Sequence, residues 1–179
     1  ARIIDIETIN AGATDDVIDL TSPDFTGTFN ITINGDAGHD VLWGNKGDDK
    51  LNGGDGDDLL FGGEGQDHLT GGIGKDVFEF ASETLTNTPP HDVIADYNKS
   101  QGDLIRFYVQ SNDTQNLSIS GTNELTWQTS TGNQTIHLNG VTLSSLSDVN
   151  TEFVAVPAEK ADRYVVHDST NGWSLANLV

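Results

Sequence analysis

An aspartate recurs at every ninth position between residues 35 and 79, and carboxylates at a fixed spacing can hold a metal cation. Each nine-residue unit also has Gly at its first and fourth places and a large apolar residue at its eighth. Glycine at the first, fourth and often second place lets the backbone adopt positive φ and turn sharply, and the eighth side chain of the following strand points inward. The units are GDAGHDVLW (35–43), GNKGDDKLN (44–52), GGDGDDLLF (53–61), GGEGQDHLT (62–70) and GGIGKDVFE (71–79).

Two units are expected to make one full coil, so that each turn lies above the turn two units further along. This arrangement stacks three carboxylates on one edge and two on the other: Asp40, Asp58 and Asp76, and Asp49 and Asp67. Like charges one strand spacing apart repel strongly unless a counterion lies between them. Carboxylate and carbonyl oxygens suit a hard ion of flexible coordination, which indicates Ca²⁺ rather than Mg²⁺ or Zn²⁺. The variable fifth place is expected to point to solvent, which makes Asp57 inert beside Asp58.

The repeat resembles the RTX (repeats-in-toxin) family, whose nonapeptide is G-G-x-G-x-D-x-U-x. The resemblance covers 45 of the 179 residues and implies an all-β fold, a right-handed parallel β-roll with a C-terminal capping segment and a small β-meander. Asp36 and Asn45 depart from the pattern at the second place, but both residue types tolerate positive φ. A flexible Gly/Asp-rich linker is the alternative. A linker has no reason to place a large hydrophobe at every eighth position.

The resemblance also implies how turns two units apart share an ion. One turn supplies the main-chain carbonyls of its first and third places, the other those of its second and fourth, and both aspartates join them. Three sites follow: Gly35, Ala37 and Asp40 with Gly54, Gly56 and Asp58; Gly44, Lys46 and Asp49 with Gly63, Gly65 and Asp67; Gly53, Asp55 and Asp58 with Gly72, Gly74 and Asp76.

The segments that flank the repeats are predicted to close the roll. Residues 1–34 are an N-terminal cap with a degenerate repeat, in which residues 1–9 form a strand over the open end and Asp16 shares a fourth ion with Asp40. The alternative is that Asp16 only solvates the cap. Residues 81–107 are a C-terminal cap after the roll of residues 35–80. It resembles the closing D-x-I-x-D-F and G-D-x-I segments of the family, so Asp92, Asp96 and Asp103 are candidate ligands or ordinary turn residues.

Residues 108–179 are predicted to be a β-rich segment. The alternating stretches 117–120, 124–129 and 134–141 predict a β-meander, and residues 141–153 a short helix. Trp127 is expected in the core rather than on a sugar-binding surface, and the C-terminal segment is expected to cover the outward-facing Trp43. In composition and position the segment resembles the uncleaved secretion signal of type I-exported RTX proteins.

The composition of the chain and the motifs that it lacks disfavour several classes of function. With 28 acidic residues against 8 basic ones, the formal net charge of −20 disfavours nucleic acid as a partner. Cysteine is absent, so a metal must stabilise the fold where disulfides cannot. No apolar stretch is long enough for a transmembrane helix, and no signal peptide opens the chain. The five histidines form no H-E-x-x-H pair and no G-x-S-x-G motif occurs, so no enzyme is predicted.

These observations favour a secreted calcium-binding module that folds outside the cell and supports type I secretion of a larger protein, such as an adhesin. Its expected partners are calcium ions, the type I secretion machinery and a cell-surface ligand. Two alternatives remain: a carbohydrate- or surface-ligand-binding module that uses the 107–159 meander, and the C-terminal RTX region of a secreted protease or lipase.

Overall fold

The computed structural model describes residues 6–21, 28–81, 91–109, 116–129, 132–155, 165–168 and 172–175, the last two ranges as backbone only. Within them the chain forms strands and one single-turn 3-10 helix. The strands are β1 Thr8–Gly12, β2 Val17–Asp19, β3 Thr32–Ala37, β4 Val41–Trp43, β5 Lys50–Asp55, β6 Leu59–Phe61, β7 His68–Ile73, β8 Val77–Ala81, β9 His91–Ile94, β10 Leu104–Val109, β11 Asn116–Ser120, β12 Glu124–Thr129, β13 Gly132–Leu138, β14 Thr151–Ala155, β15 Val165–Asp168 and β16 Gly172–Leu175.

From β1 to β10 successive strands alternate between two sheets, which confirms the parallel β-roll, and β15 and β16 form a separate two-stranded sheet. One sheet has the order β1-β3-β5-β7-β9-β13-β12-β11, and the other β14-β10-β8-β6-β4-β2. Within the repeats, Leu51 lies opposite Leu69 in the first sheet and Leu42 opposite Leu60 in the second. Each partner is two nonapeptides further along, so the coil has the predicted length of eighteen residues.

The eighth place of every repeat lies in the interior between the two sheets. Its side chains are 0–1% exposed and belong to one hydrophobic core: Leu42, Leu51, Leu60, Leu69 and Phe78. Buried apolar side chains are the main favourable contribution to folding. The period of the sequence therefore predicts correctly that each eighth-place side chain lies in the core.

The N-terminal coil consists of β1 and β2, which pair in parallel with β3 and β4. Val17 lies opposite Val41, a shift of 24 residues, so this coil contains the longer half-turn that the degenerate repeat predicted. The strand begins at Thr8 rather than spanning residues 1–9, of which residues 1–5 lie outside the described ranges.

Two further coils continue the roll beyond the repeats. β9 pairs with β7 and β10 with β8, and then β13 pairs with β9 and β14 with β10, all in parallel. The expected boundary at residue 107 falls inside β10. Residues 91–107 are thus an interior coil with another coil stacked on it. The short helix predicted over residues 141–153 is wrong: a 3-10 turn at Leu146–Asp148 leads directly into β14.

The antiparallel strands β11, β12 and β13 form the predicted meander, and β13 also belongs to the roll. Trp127 on β12 is fully buried, and its ring centroid lies 5.0 Å from that of Phe107 on β10. The β11–β12 hairpin is therefore an insertion between two coils, and its side chains share the core of the roll.

The second sheet also carries apolar side chains on its outward face. Val41, Trp43, Leu59 and Val77 form a separate buried cluster there, with Phe61 and Leu104 packed against it. The C-terminal segment that was expected to cover Trp43 lies outside the residues whose side chains are described. Among the described residues, no helix has the length and apolar character needed to span a membrane.

Candidate metal centre

The sixth-place aspartates form two ladders of hydrogen bonds, one along each edge of the roll. On the first edge, which comprises Asp16, Asp40, Asp58, Asp76 and Asp103, the backbone N–H of each of the first four donates to the carboxylate Oδ1 of the aspartate in the next coil. The N–O distances are 2.8 Å from Asp16 to Asp40, 2.8 Å from Asp40 to Asp58, 3.0 Å from Asp58 to Asp76 and 3.2 Å from Asp76 to Asp103. The carboxylates are thus held one coil apart, as predicted.

The second edge comprises Asp49, Asp67 and Asp92 and follows the same rule. The N–H of Asp49 donates to Oδ1 of Asp67, and the N–H of Asp67 donates to Oδ1 of Asp92, both at 2.9 Å. The ladder starts at Ile31, whose N–H donates to Oδ1 of Asp49 at 2.9 Å. No aspartate occupies position 31, so the second edge has fewer carboxylates to share between coils.

The first edge contains acceptor atoms that no described protein group satisfies. Oδ2 of Asp40, Asp58 and Asp76 is buried and has no hydrogen-bond partner among the residues that the structure describes. A buried carboxylate oxygen without a partner carries a large desolvation cost. Three such atoms in one row fit a row of bound cations, and oxygen donors fit calcium.

Burial raises the pKa of these aspartates. The main cause is loss of water around the carboxylate, and neighbouring carboxylates add to it. The pKa rises to about 6 at Asp49, about 7 at Asp58, Asp76 and Asp92 and about 8 at Asp67. It is also raised at Asp40 and Asp103. Without a cation, burial makes the folded row easier to protonate than exposed aspartates are, so cations and protons compete for it.

The glycines of the turns are required for two different reasons. At the second and fourth places φ is positive, for example 113° at Gly54 and 132° at Gly56. The first-place glycines do not have positive φ, so that part of the prediction is wrong. They are needed for space: a Cβ atom at Gly53 would lie 2.2 Å from Oδ2 of Asp58, the aspartate of its own repeat. The same contact occurs in all five repeats, at Gly35, Gly44, Gly53, Gly62 and Gly71.

Turns two units apart stack closely on the first edge. Asp36 lies opposite Gly54 and Ala37 opposite Asp55, which brings together the main chains predicted to share the first ion. Gly54 and Asp55 in turn lie opposite Gly72 and Ile73. The carbonyl of Asp55 accepts a hydrogen bond from the N–H of Gly38 at 2.9 Å and keeps a second lone pair.

Asp96 differs from the other acidic residues predicted to cap the roll. Its two carboxylate oxygens accept hydrogen bonds from Gly71 and Gly72, at 2.9 and 2.8 Å. This geometry is that of an ordinary backbone-capping side chain. Asp92 and Asp103 instead take the next steps of the two ladders, although they lie 25 and 27 residues beyond their partners.

No cluster of three or more His, Asp or Glu side chains suited to a metal occurs among the described residues. The predicted sites do not need one, because each combines two carboxylates with four main-chain carbonyls. The structure brings the coils into the register that such sites require. The ligand assignments themselves remain predictions.

The sequence of the repeats matches a known family model. The model of the RTX calcium-binding nonapeptide repeat, in four copies, matches residues 27–60 and 52–81. Residues 27–81 are RTX calcium-binding repeats. The predicted cofactor, Ca²⁺, is thereby confirmed for this segment.

The solved structures that are similar to the chain include the solution structure of the AlgE6R3 subunit of the Azotobacter vinelandii mannuronan C5-epimerase. The two are 27% identical over 72% of each chain, with a TM-score of 0.27. A TM-score this low carries no weight for the fold. No curated protein matches the chain.

Besides the two sixth-place ladders, the RTX repeats contain hydrogen bonds between the fifth-place residues of stacked turns. The sequence prediction missed this fifth-place ladder. The N–H of Lys75 donates to Oδ1 of Asp57 at 2.8 Å, and the N–H of Asp57 donates to Nδ1 of His39 at 2.8 Å. The N–H of Gln66 likewise donates to Oδ1 of Asp48 at 3.0 Å. Asp57 is therefore not an inert, solvent-facing residue. The signal in the sequence was that three of the five fifth-place residues are Asp or His, which can accept hydrogen bonds.

Proposed function

We propose that this chain is a non-enzymatic module of a secreted protein that folds on calcium outside the cell and supports type I secretion of a larger protein, an adhesin. The observation that carries the proposal is the row of buried Oδ2 atoms on Asp40, Asp58 and Asp76, which have no partner in the part of the chain that the structure describes. A fold that buries such atoms is stable only when something neutralises them. Calcium is the ion that the repeats bind.

The concentration of calcium then acts as a switch between two states. Where calcium is scarce, as inside a cell, repulsion within a chain of net charge −20 keeps the repeats expanded and able to pass through an exporter. Extracellular calcium modules bind with dissociation constants of about 10⁻⁴ to 10⁻³ M, close to the calcium level outside cells. The module therefore folds after export.

Recognition of a carbohydrate by the 107–159 meander has less support. Trp127 is the tryptophan of that segment and the natural candidate for a sugar platform. It is fully buried against Phe107, so it is not available to an external ligand.

An export experiment tests the proposal. The whole chain is placed at the C-terminus of a reporter and expressed with a type I exporter, and the reporter is measured in the medium. We expect export of the reporter with the whole chain. A matched chain that ends at Ala155 keeps all six coils but lacks residues 156–179, the end of the 108–179 segment that resembles the signal, and we expect it to stay in the cell. Equal export of the two, or none of either, contradicts a secretion role for residues 156–179.

A further inference from the structure

The five repeat turns are not equivalent, and the turn of residues 44–49 is the exception. In the other four turns φ is positive at both the second and the fourth place, as at Asp36 and Gly38 or at Gly63 and Gly65. In the turn of residues 44–49 neither Asn45 nor Gly47 has positive φ. The peptide planes on both sides of these residues are therefore oriented differently, and they include the carbonyls of Gly44 and Lys46 that were assigned to the second ion.

The side chain of Asn45 closes this turn from within. Its Oδ1 accepts hydrogen bonds from the N–H groups of Lys46 at 2.5 Å and Gly47 at 2.9 Å. Its Nδ2 donates to the carbonyl of Phe29 in the preceding coil at 3.0 Å. Asn45 is 8% exposed, so these hydrogen bonds are shielded from water. Glycine at the second place has no side chain to do this.

The backbone of Asn45 also forms a hydrogen bond with the carboxylate of Asp49, which is a predicted ligand of the second ion. Its N–H donates to Oδ2 of Asp49 at 2.7 Å. The corresponding Oδ2 atoms of Asp40, Asp58 and Asp76 have no partner within the described ranges. On Asp49 a protein N–H thus occupies the position that remains open to a cation on the first edge.

We propose that Asn45 replaces a calcium ion in the turn of residues 44–49, so that the site shared with Gly63, Gly65 and Asp67 is weak while the sites of the first edge are strong. The inference rests on the proposed ligand sharing between turns. According to this inference, Asn45 determines where calcium binds. The first edge needs the metal, whereas the turn of residues 44–49 closes without it.

Isothermal titration calorimetry with calcium on the whole chain and its variants tests this. Asp67→Asn keeps the Oδ1 acceptor of the ladder and removes the charge from the second edge only. We expect it to leave the number of tightly bound ions unchanged. Asn45→Gly should add one tightly bound ion, and the double variant Asn45→Gly/Asp67→Asn should lose that ion again. Asp36→Gly is the matched control, because it makes the same second-place change in a turn that already has positive φ, and it should add none.

Two results would overturn the inference: loss of one tight ion in Asp67→Asn alone, or no gain in Asn45→Gly. The titration of Asp67→Asn tests the inference even if Asn45→Gly folds poorly. An unmodified chain that binds no calcium would instead overturn the proposed function, and this inference with it.

Discussion

At the scale of single residues, Asp58 holds the central position of the first edge. Its N–H donates to Asp76, its Oδ1 accepts from Asp40, and its Oδ2 is one of the unpartnered atoms. In the predicted sites it contributes to two ions, one shared with each neighbour. Asp49 and Asp67 contribute to one predicted site each.

Replacing Asp58 should therefore affect two ions at once. Asp58→Asn keeps an oxygen for the N–H of Asp40 but removes the charge, and we expect the number of bound calcium ions to fall by up to two in a calorimetric titration. Asp55→Asn is the matched control, because the Asp55 side chain is exposed and only its main-chain oxygen is a predicted ligand. Equal losses in both variants would contradict the register of the sites. Asp57 is unsuitable as a control because its carboxylate belongs to the fifth-place ladder.

At this scale, the role of a residue can be predicted from the sequence only where its place in the repeat sets its conformation and contacts. The eighth-place side chains and the sixth-place aspartates could be assigned from the period because every coil repeats the same environment. The conformation of Asn45 could not, because it depends on the carbonyl of Phe29 in another coil. The role of the first-place glycines was assigned to φ, whereas a contact with Oδ2 of the aspartate decides it.

At the scale of the strands, the roll is longer than its repeats. The coil of β9 and β10 was predicted as the cap, but the last coil is formed by β13 and β14. Neither strand follows a nonapeptide turn of Gly and Asp, so the nine-residue period does not indicate that these strands belong to the roll. The sequence shows alternation in β13, which identifies that strand as half-buried without giving its neighbours, whereas β14 begins where the sequence predicted a short helix. Their pairing depends on the hairpin that separates them from β10.

Removing the coils beyond the repeats should raise the calcium needed for folding. A chain that ends at Phe80 loses the coil of β9 and β10, which covers Leu69 and Phe78, and it loses the acceptors on Asp92 and Asp103. An open end also exposes unpaired strand edges. We expect the calcium midpoint of β-structure, followed by circular dichroism, to be higher than in a chain that ends at Ala155.

The chain that ends at Ala155 is the control for this truncation, since it retains every coil. A common midpoint for the two chains would show that the repeats fold autonomously. The capping coils would then have no part in folding.

At the scale of the whole molecule, calcium and protons compete for the same carboxylates. Their pKa values in the metal-free fold are raised, to about 7 at Asp58 and about 8 at Asp67, by burial first and by neighbouring carboxylates. A raised pKa in the folded state stabilises the fold below the ordinary pKa of Asp, and this contribution is lost as the pH rises through the folded value. The metal-free roll is therefore least stable where its carboxylates must ionise.

The pH dependence of folding should be present in chelator and absent in saturating calcium. In chelator, we expect more β-structure at pH 4 than at pH 8, because the buried aspartates are then protonated. In saturating calcium, the β-structure should persist at pH 8, because the bound ions neutralise the ionised carboxylates. Circular dichroism at fixed ionic strength measures both. A loss of β-structure between pH 4 and pH 8 that persists in saturating calcium would show that these carboxylates do not bind the ion.

The central claim is that calcium completes a fold whose carboxylates the protein cannot satisfy by itself. The most direct measurement is the far-ultraviolet circular dichroism of the whole chain at pH 7.5, first in excess chelator and then during addition of Ca²⁺ or Mg²⁺. We expect most of the β signal of the repeats to be absent in chelator and to return with millimolar Ca²⁺, while Mg²⁺ restores little because it requires a smaller octahedral site. A β signal that is unchanged in chelator, after removal of bound ions has been verified, would contradict the claim.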